Sequence, residues 1–350
     1  MAYPTPPKSK SDVRRAGQAI SEGKGTDKDH SLVESWQASH GYVINTFQAM
    51  LRKRLAKLGI EADFAQRLKR RNTVIDKLQR ADAKGKRLIL DVTSMHDFAG
   101  CRIIFRNLND LQYFRSFMHS TSGLKDVDHK LRHQDTEKFN YIARPKASGY
   151  RGIHDVYRHF PRGSARREER KPWDGLLVEI QYRTQPQHAW ATAVEISDLL
   201  DGENTKFELD QSRRGRFFAL ASEIISRRVE GIANAFEDTN TSHLLDELHD
   251  LENNLGILRR LRLLKQFEEE DLLQRHNVLN IYRVDDGSFE LEIIPFSRAQ
   301  PAIEKASELE TSENSVNAVY VHADNPKHLR SAYRNYFYDP VDFVQIITSA

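Results

Sequence analysis

From Leu176 to Thr184 the sequence alternates regularly enough to dictate a strand. Val178, Ile180 and Tyr182 occupy one set of positions, Glu179, Gln181 and Arg183 the other. A period of two sends the two sets to opposite faces. The apolar face needs a core; the other carries a carboxylate, an amide and a guanidinium in a row, about 6–7 Å apart. Gln185-Pro186-Gln187-His188 follows at once. Pro186 suits the first turn of a helix, expected to run to about Leu200. A carboxylate beside an arginine on a rigid strand can serve as a base next to a phosphate clamp. A half-exposed strand with ordinary polar residues is the plainer reading of this segment taken alone.

The neighbouring sequence extends the pattern. Strands are expected at Phe64 to Leu68, Gly100 to Phe105 and Ile153 to Phe160, with a helix at Leu108 to Ser120 and a charged loop at Pro161 to Gly175. Trp36, Val43, Ile44, Phe47, Met50, Leu51 and Leu55 recur at helical spacing, and Gly59 stands where that helix should stop. Residues 1–33 are rich in Pro, Ser, Lys and Gly and read as a basic flexible tail, with one short helix near Val13 to Ile20. Leu244, Leu245, Leu248, Leu251, Leu255 and Leu258 mark an amphipathic linking helix over 236–275. Beyond it the order strand, strand, helix, strand, helix describes a small α+β domain over 276–350. The expected organisation is a mixed β-sheet domain flanked by helices over 34–235, then the linking helix and the small domain.

With 39% hydrophobic and 29% charged residues the chain is globular rather than disordered. Cys101 is its only cysteine, which excludes a disulfide framework and a cysteine-based zinc site. No apolar run approaches the ~20 residues of a membrane span and no signal-type segment opens the sequence, so a cytoplasmic protein with no membrane partner is expected. The net charge of +3 means that a nucleic-acid partner has to be argued from local clusters.

Three such clusters precede the Glu179 strand. Arg67, Lys69, Arg70, Arg71 and Lys77 place five cations within eleven residues, around Thr73, where a strand should pass into a helix. Free N–H groups and the dipole at a helix start add to that charge and suit polyphosphate; a solvated basic helix is the bland alternative. Asp97 comes just before the Gly100 strand, a common station for a magnesium-binding carboxylate, and Arg102 lies on the face opposite Cys101 and Ile103. Between Tyr141 and His154, Arg144, Lys146 and Arg151 supply charge, Tyr150 a stacking surface, and Gly149 and Gly152 room for close approach. Stacking with cations is how a flexible nucleotide or a single-stranded RNA end is held.

Taken together and in this order, these four blocks resemble the synthetase domain of the RelA/SpoT alarmone synthetases, over roughly residues 60 to 200. The resemblance implies transfer of the β,γ-pyrophosphate of ATP to a ribose 3′-hydroxyl, with Mg²⁺ as cofactor, on a mixed α/β nucleotidyltransferase-like sheet. By position it implies that Arg67 and Arg102 sandwich adenine and that Lys69, Thr73 and Lys77 hold ATP phosphates. Asp97 would bind Mg²⁺; Glu179 would activate the hydroxyl and share the metal. Lys146, Tyr150, His154, Gln181, Arg183 and His188 would form the acceptor pocket. No histidine–aspartate metal motifs of a hydrolase half are visible.

Two positions depart from the housekeeping pattern. Thr192 stands where a Glu is usual, four residues after His188, and Asn140 stands where an Asp is frequent. The run from His188 to Glu195 resembles the toxic small alarmone synthetases, which modify the 3′-CCA end of tRNA and block translation. Arg14, Arg15, Arg144, Arg151, Arg166 and Arg167 are candidate tRNA contacts, against the alternative of solvated surface charge. Tyr333-Arg334-Asn335-Tyr336 near the end resembles the fused CapRel toxin–antitoxin proteins of anti-phage defence. That resemblance implies that a zinc-free C-terminal domain blocks the ATP site through Tyr333 and Tyr336, until a phage structural protein such as the capsid protein releases it. The same tyrosines also fit an ordinary buried stripe with Leu329 and Phe337. The alternatives left open are a (p)ppGpp synthetase acting on GDP or GTP, and a catalytically silent nucleotide- or RNA-binding regulator.

Overall fold

A computed structural model gives the fold and describes residues 3–68, 71–81, 87, 89, 91–125, 127–160, 167–201, 212–262, 274–284, 289–309, 311–312, 314–322 and 340–349. The helices are α1 (Lys10–Ser21), α2 (Asp27–Leu58), α3 (Arg71–Gln79), α4 (Leu108–His119), α5 (Arg167–Arg170), α6 (Gln185–Asp201), α7 (Arg213–Ile225), α8 (Thr241–Leu255), α9 (Ile257–Arg262), α10 (Ala299–Leu309) and α11 (Val341–Thr348). The strands β1 (Ala62–Leu68), β2 (Ala99–Phe105), β3 (Lys130–Leu131), β4 (Ile153–Arg158) and β5 (Leu177–Thr184) form one sheet in the order β1-β2-β5-β4-β3. β2 and β5 run parallel while the other neighbours are antiparallel, so the sheet is mixed.

Sequence explains the local choices. Thr26 and Asp29 form a reciprocal capping box at the start of α2, and Gly59, with φ of 65°, ends it in the left-handed conformation open to glycine. The alternation in β5 sends Val178, Ile180 and Tyr182 into a core that also takes Ile103 and Phe105 of β2, Phe47 and Leu51 of α2 and Phe114 of α4. Register sets the opposite face. Gly100, Glu179 and Val156 share one row across β2, β5 and β4; Arg102, Gln181 and His154 share the next. The expected chemistry therefore lies on adjacent rungs.

That polar face is not half-exposed, as the alternation alone implied. β5 is the central strand, and Glu179 and Arg183 are both only 6% exposed. Period-two patterning tells the two faces apart but says nothing about whether a second layer covers the polar one.

The first thirty residues also differ from expectation. They are not a tail: α1 buries Val13, Ala16 and Ile20 against α2 and α3. Ahead of α1, the Trp173 indole donates to the Pro4 carbonyl at 3.1 Å, and Tyr3 meets Tyr42 edge-on. A few apolar residues at helical spacing, each worth roughly 1.5–3 kcal/mol on burial, outweigh a polar composition.

Among the described residues of the expected linking helix there are two helices, broken at Gly256, whose φ is 61°. Neither acts as a spacer. Leu244, Leu248, Leu251, Leu258 and Leu261 join a core built from α6 and α7, which also takes Leu279 of β6, Val319 of β8 and Phe343 of α11. β6 (His276–Arg283), β7 (Phe289–Phe296) and β8 (Ser315–His322) form a second antiparallel sheet, order β7-β6-β8, with α10 packed on it. α11 leaves that sheet to pack on α6, α7 and α9. The expected boundary near 235–276 thus runs through a shared core.

Candidate active site

The site grows from the rungs around Glu179. Glu179 Oε1 accepts from His154 Nδ1 at 3.1 Å and Oε2 from Gln181 Nε2 at 2.7 Å. His154 Nε2 lies 2.6 Å from the Tyr150 hydroxyl, to which Arg183 Nη2 donates at 3.1 Å. The Arg183 guanidinium also covers the Tyr150 ring, 5.1 Å from its centroid. One continuous chain thus links Gln181, Glu179, His154, Tyr150 and Arg183, five of the residues assigned from the sequence.

Charge in this chain is mutually reinforcing. Burial pushes the Glu179 carboxyl up, but the His154 charge, the bonds from His154 and Gln181, and His96 outweigh it and hold the group well below the ordinary carboxylate range. Burial pushes His154 down, yet Tyr150 and Glu179 on either side carry it up to about 9. Burial raises Tyr150 as well, but Arg183 and His154 draw its hydroxyl down to about 7. At neutral pH the centre is an ionised carboxylate facing an imidazolium.

Asp97 stands two residues ahead of β2, and its Oδ2 accepts from Lys77 Nζ of α3 at 2.7 Å. His96 lies between the two carboxylates: its Nε2 is 3.9 Å from Glu179 Oε1, and both Glu179 and Asp97 pull its pKa up against the larger lowering from burial. Its Nδ1 is 3.4 Å from Arg132 Nη1, and Arg132 also donates to the Ser94 carbonyl at 2.6 Å. Because arginine only donates, His96 Nδ1 accepts and the neutral ring carries its proton on Nε2, toward Glu179. Sequence reading missed His96 and Arg132; the position of His96 next to Asp97 was the only available signal. Tyr141 joins the acceptor side too: the Lys146 ammonium lies 4.5 Å from that ring and 5.2 Å from Tyr150.

Among the described residues no three His, Cys, Asp or Glu side chains gather into a metal cage. The donors fit Mg²⁺ nonetheless. Magnesium takes one or two carboxylates and completes its shell with water and substrate phosphates. Asp97 and the ionised Glu179, both flanking His96, supply hard oxygens of that kind.

The remaining expectations divide. Arg102 is half-buried on the rung of Gln181 and His154. His188 is buried on the first turn of α6. Arg67 pairs with Gly100, in line with Glu179, while its side chain and those of Thr73 and Arg167 are outside the described residues, as are Lys69, Arg166, Tyr333 and Tyr336 altogether. Arg151 is corrected. It is 3% exposed and donates to Glu223 Oε2 at 2.5 Å, Asn234 Oδ1 at 2.7 Å and Ser222 Oγ at 3.2 Å, which makes it an internal tie to α7. Gly149 beside it has φ of 88°, and a Cβ there would come within 2.8 Å of Ala219 Cα, so its freedom serves packing against α7. Arg144 is exposed and donates to the Glu137 carbonyl. Arg14 and Arg15 are exposed and paired with Asp91 and Asp12.

Residues 66–197, which contain the described chain from Glu179 to Tyr150 and the Lys77–Asp97 pair, match the model of the region found in RelA / SpoT proteins. The chain is similar to RelA/SpoT proteins over this region. Over 102 residues it is 31% identical to GTP pyrophosphokinase YjbM of Bacillus subtilis (strain 168), an alignment taking in 29% of this chain and 41% of that protein. The match therefore spans less than half of that relative. Solved structures with similarity include small alarmone synthetase 1 from Bacillus subtilis bound to its product pppGpp, at 21% identity over 62% of this chain and 94% of that one, with a TM-score of 0.39. Another is a GTP pyrophosphokinase family protein from Streptococcus pneumoniae, at 20% identity over 63% and 97% of the two chains, with a TM-score of 0.40. The matched residues cover β2, β4 and β5 with most of α6 and the end of β1, the elements that carry the site.

Proposed function

We propose that the chain is an ATP pyrophosphotransferase acting on a ribose 3′-hydroxyl, and that its acceptor is the 3′-CCA end of tRNA. The observation that carries the reading is the buried, ionised Glu179, fixed by His154 and Gln181 on the rung next to Arg102. In the step proposed, the acceptor 3′-oxygen bonds to the β-phosphorus of ATP. The bond from that phosphorus to the α,β-bridging oxygen breaks, AMP leaves with that oxygen, and the hydroxyl proton passes to Glu179. Glu179 without substrate is a weak base; an anionic triphosphate beside it opposes the imidazolium and raises its basicity. Asp97 and Glu179 would hold Mg²⁺, which would supply neutralisation of phosphate charge. Lys77 provides a cation for the phosphates once it parts from Asp97.

Support for the tRNA acceptor comes from the acceptor side. Asn140 spends its side chain capping the backbone of Ile142 and Ala143 and bonding Glu137, and Thr192 is buried on α6. Neither offers the carboxylate that the housekeeping pattern has there. The GTP pyrophosphokinase named above favours the second reading, GDP or GTP as acceptor. The proposal extends to control by residues 276–350, with Tyr333 and Tyr336 blocking the ATP side until a phage structural protein such as the capsid protein binds. Its support is that β8, the edge of the second sheet, lies against β1, the edge strand that bears Arg67.

The test uses Mg²⁺ and ATP labelled in the β- or γ-phosphate, with tRNA, GDP or GTP as acceptors. Label on tRNA from a Tyr333→Ala/Tyr336→Ala chain, with little from the unaltered chain, is the expected result. Label on guanosine nucleotides alone overturns the tRNA acceptor. If Glu179→Ala changes no transfer to any acceptor, the enzyme reading falls and a silent regulator replaces it.

A further inference from the structure

Behind the acceptor loop lies a cavity of about 340 Å³ that the proposed reaction does not use. Lys146 lines it, and the same ammonium lies over the rings of Tyr141 and Tyr150 in the acceptor pocket. Phe236 lines it as well, and its ring carries the Arg216 guanidinium 4.7 Å from its centroid. Two bonds to Glu247, at 2.6 and 2.7 Å, hold that guanidinium in place, yet the Arg216 side chain stays 40% exposed. Gly215 and Ala219 of α7 line it with little side chain, which leaves space against the helix.

A cation shared with the acceptor pocket, a braced planar guanidinium backed by an aromatic ring, and a small-residue wall are the parts of a nucleotide site. Single-stranded nucleic acid is held by stacking on aromatic or arginine planes while lysines meet its phosphates. We propose that this cavity is a second nucleotide subsite, which takes the nucleotide adjoining the one whose ribose reacts. The inference rests on the acceptor assignment made above. Lys146 meets the phosphate joining the two nucleotides, and the neighbouring base lies against the Arg216–Phe236 stack. GDP and GTP have no such neighbour. The subsite thus gives the site a means to prefer an RNA end over a free nucleotide. A free nucleotide acting as effector has the same chemistry and is the other possible source of the ligand.

The test is a competition experiment on the full chain. A fluorescent single-stranded RNA ending in CCA is displaced by CCA trinucleotide, by AMP or by GDP, and anisotropy reads the release. CCA is expected to bind at least tenfold more tightly than AMP, the ~1.4 kcal/mol within reach of one stacking contact. Phe236→Ala removes the backing ring, and Ala147→Trp fills the cavity from its exposed rim. Both are expected to erase the advantage of CCA while AMP affinity stays within twofold, which also shows that the variants are folded. Equal affinity of CCA and AMP for the unaltered chain overturns the subsite and leaves the acceptor reading intact. An advantage that survives Ala147→Trp overturns it too. Failure of the CCA probe to bind, while a fluorescent GDP does bind, overturns the acceptor reading and the subsite with it. A GDP affinity lost in Ala147→Trp, with CCA unaffected, assigns the cavity to a free effector and overturns the strand assignment.

Discussion

At the scale of single residues, the site is a set of charges that fix one another. His154 is an imidazolium because Glu179 and Tyr150 flank it, and Glu179 is ionised because His154 faces it. Glu179→Gln keeps the shape and removes the charge. The expected result is a fall in transfer rate of roughly 10²–10⁴-fold, the usual scale for loss of a positioned base. The His154 pKa should also drop from about 9 toward or below the ordinary 6.5, because burial is then opposed only by Tyr150. Proton NMR of the His154 ring reads this without any turnover; an unchanged titration would sink the pairing. Most of this chain was legible in the sequence, because Glu179, Gln181 and Arg183 share a period-two face and His154 and Tyr150 lie four residues apart. His96 was not. A lone histidine beside an aspartate carries no pattern, and only the packing of the segment before β2 brings it between two carboxylates.

At the scale of elements, the basic loop between Tyr141 and His154 shows how charge in sequence misleads. Arg144 and Arg151 look alike there, yet one is exposed and the other ties the loop to α7 through Glu223, which is 0% exposed. Arg151→Ala takes from buried Glu223 one of its two arginine partners, leaving Arg227 and the Ala235 amide, and is expected to cost about 3–5 kcal/mol. Arg144→Ala, at the surface, should stay within ~0.5 kcal/mol. Chemical denaturation of the two variants separates them, and similar midpoints would contradict the internal role. α1 was obscured in the opposite way, its stripe of Val13, Ala16 and Ile20 being diluted by polar neighbours. Ile20→Ala should cost about 2–5 kcal/mol, which a flexible tail would not register. Strand and helix positions in 60–235 were read well because periodicity is local. What covers each face was not, because that is decided by distant chain.

At the scale of the whole molecule, the core around α6 and α7 also takes the second sheet and α11, with Phe343 fully buried 6.1 Å from the Phe218 ring. Removing residues after 275 would strip that core, so point variants, not truncation, are the means to probe control. Phe343→Ala should lower stability by about 3–5 kcal/mol in a transition that α7 shares. The other core carries a pH liability. His40, His129 and His159 are buried, and burial depresses them to about 4, 3 and 4. The Phe160 amide donates to His129 Nδ1 at 2.9 Å, and His159 Nδ1 donates to the Trp173 carbonyl, so both rings are built in as neutral bases. Unfolded histidine takes up its proton near 6.5, so below that pH the unfolded chain binds more protons than the folded one. The stability these rings contribute is complete above 6.5 and declines as pH falls toward 4, by up to ~1.4 kcal/mol per ring per pH unit. His154 has the opposite sign: its contribution is complete below 6.5 and is lost as pH rises through about 9, so it leaves the acid slope alone. Asp155, held below the ordinary aspartate range, loses its contribution only at still lower pH. Denaturation midpoints measured from pH 7 to 4.5 should therefore fall steeply. His129→Gln keeps an acceptor for the Phe160 amide and removes one titrating ring, so its slope should be shallower by up to ~1.4 kcal/mol per pH unit. A slope equal to that of the unaltered chain would mean that His129 does not stay neutral in the fold, and the acid sensitivity would then rest on the other buried histidines.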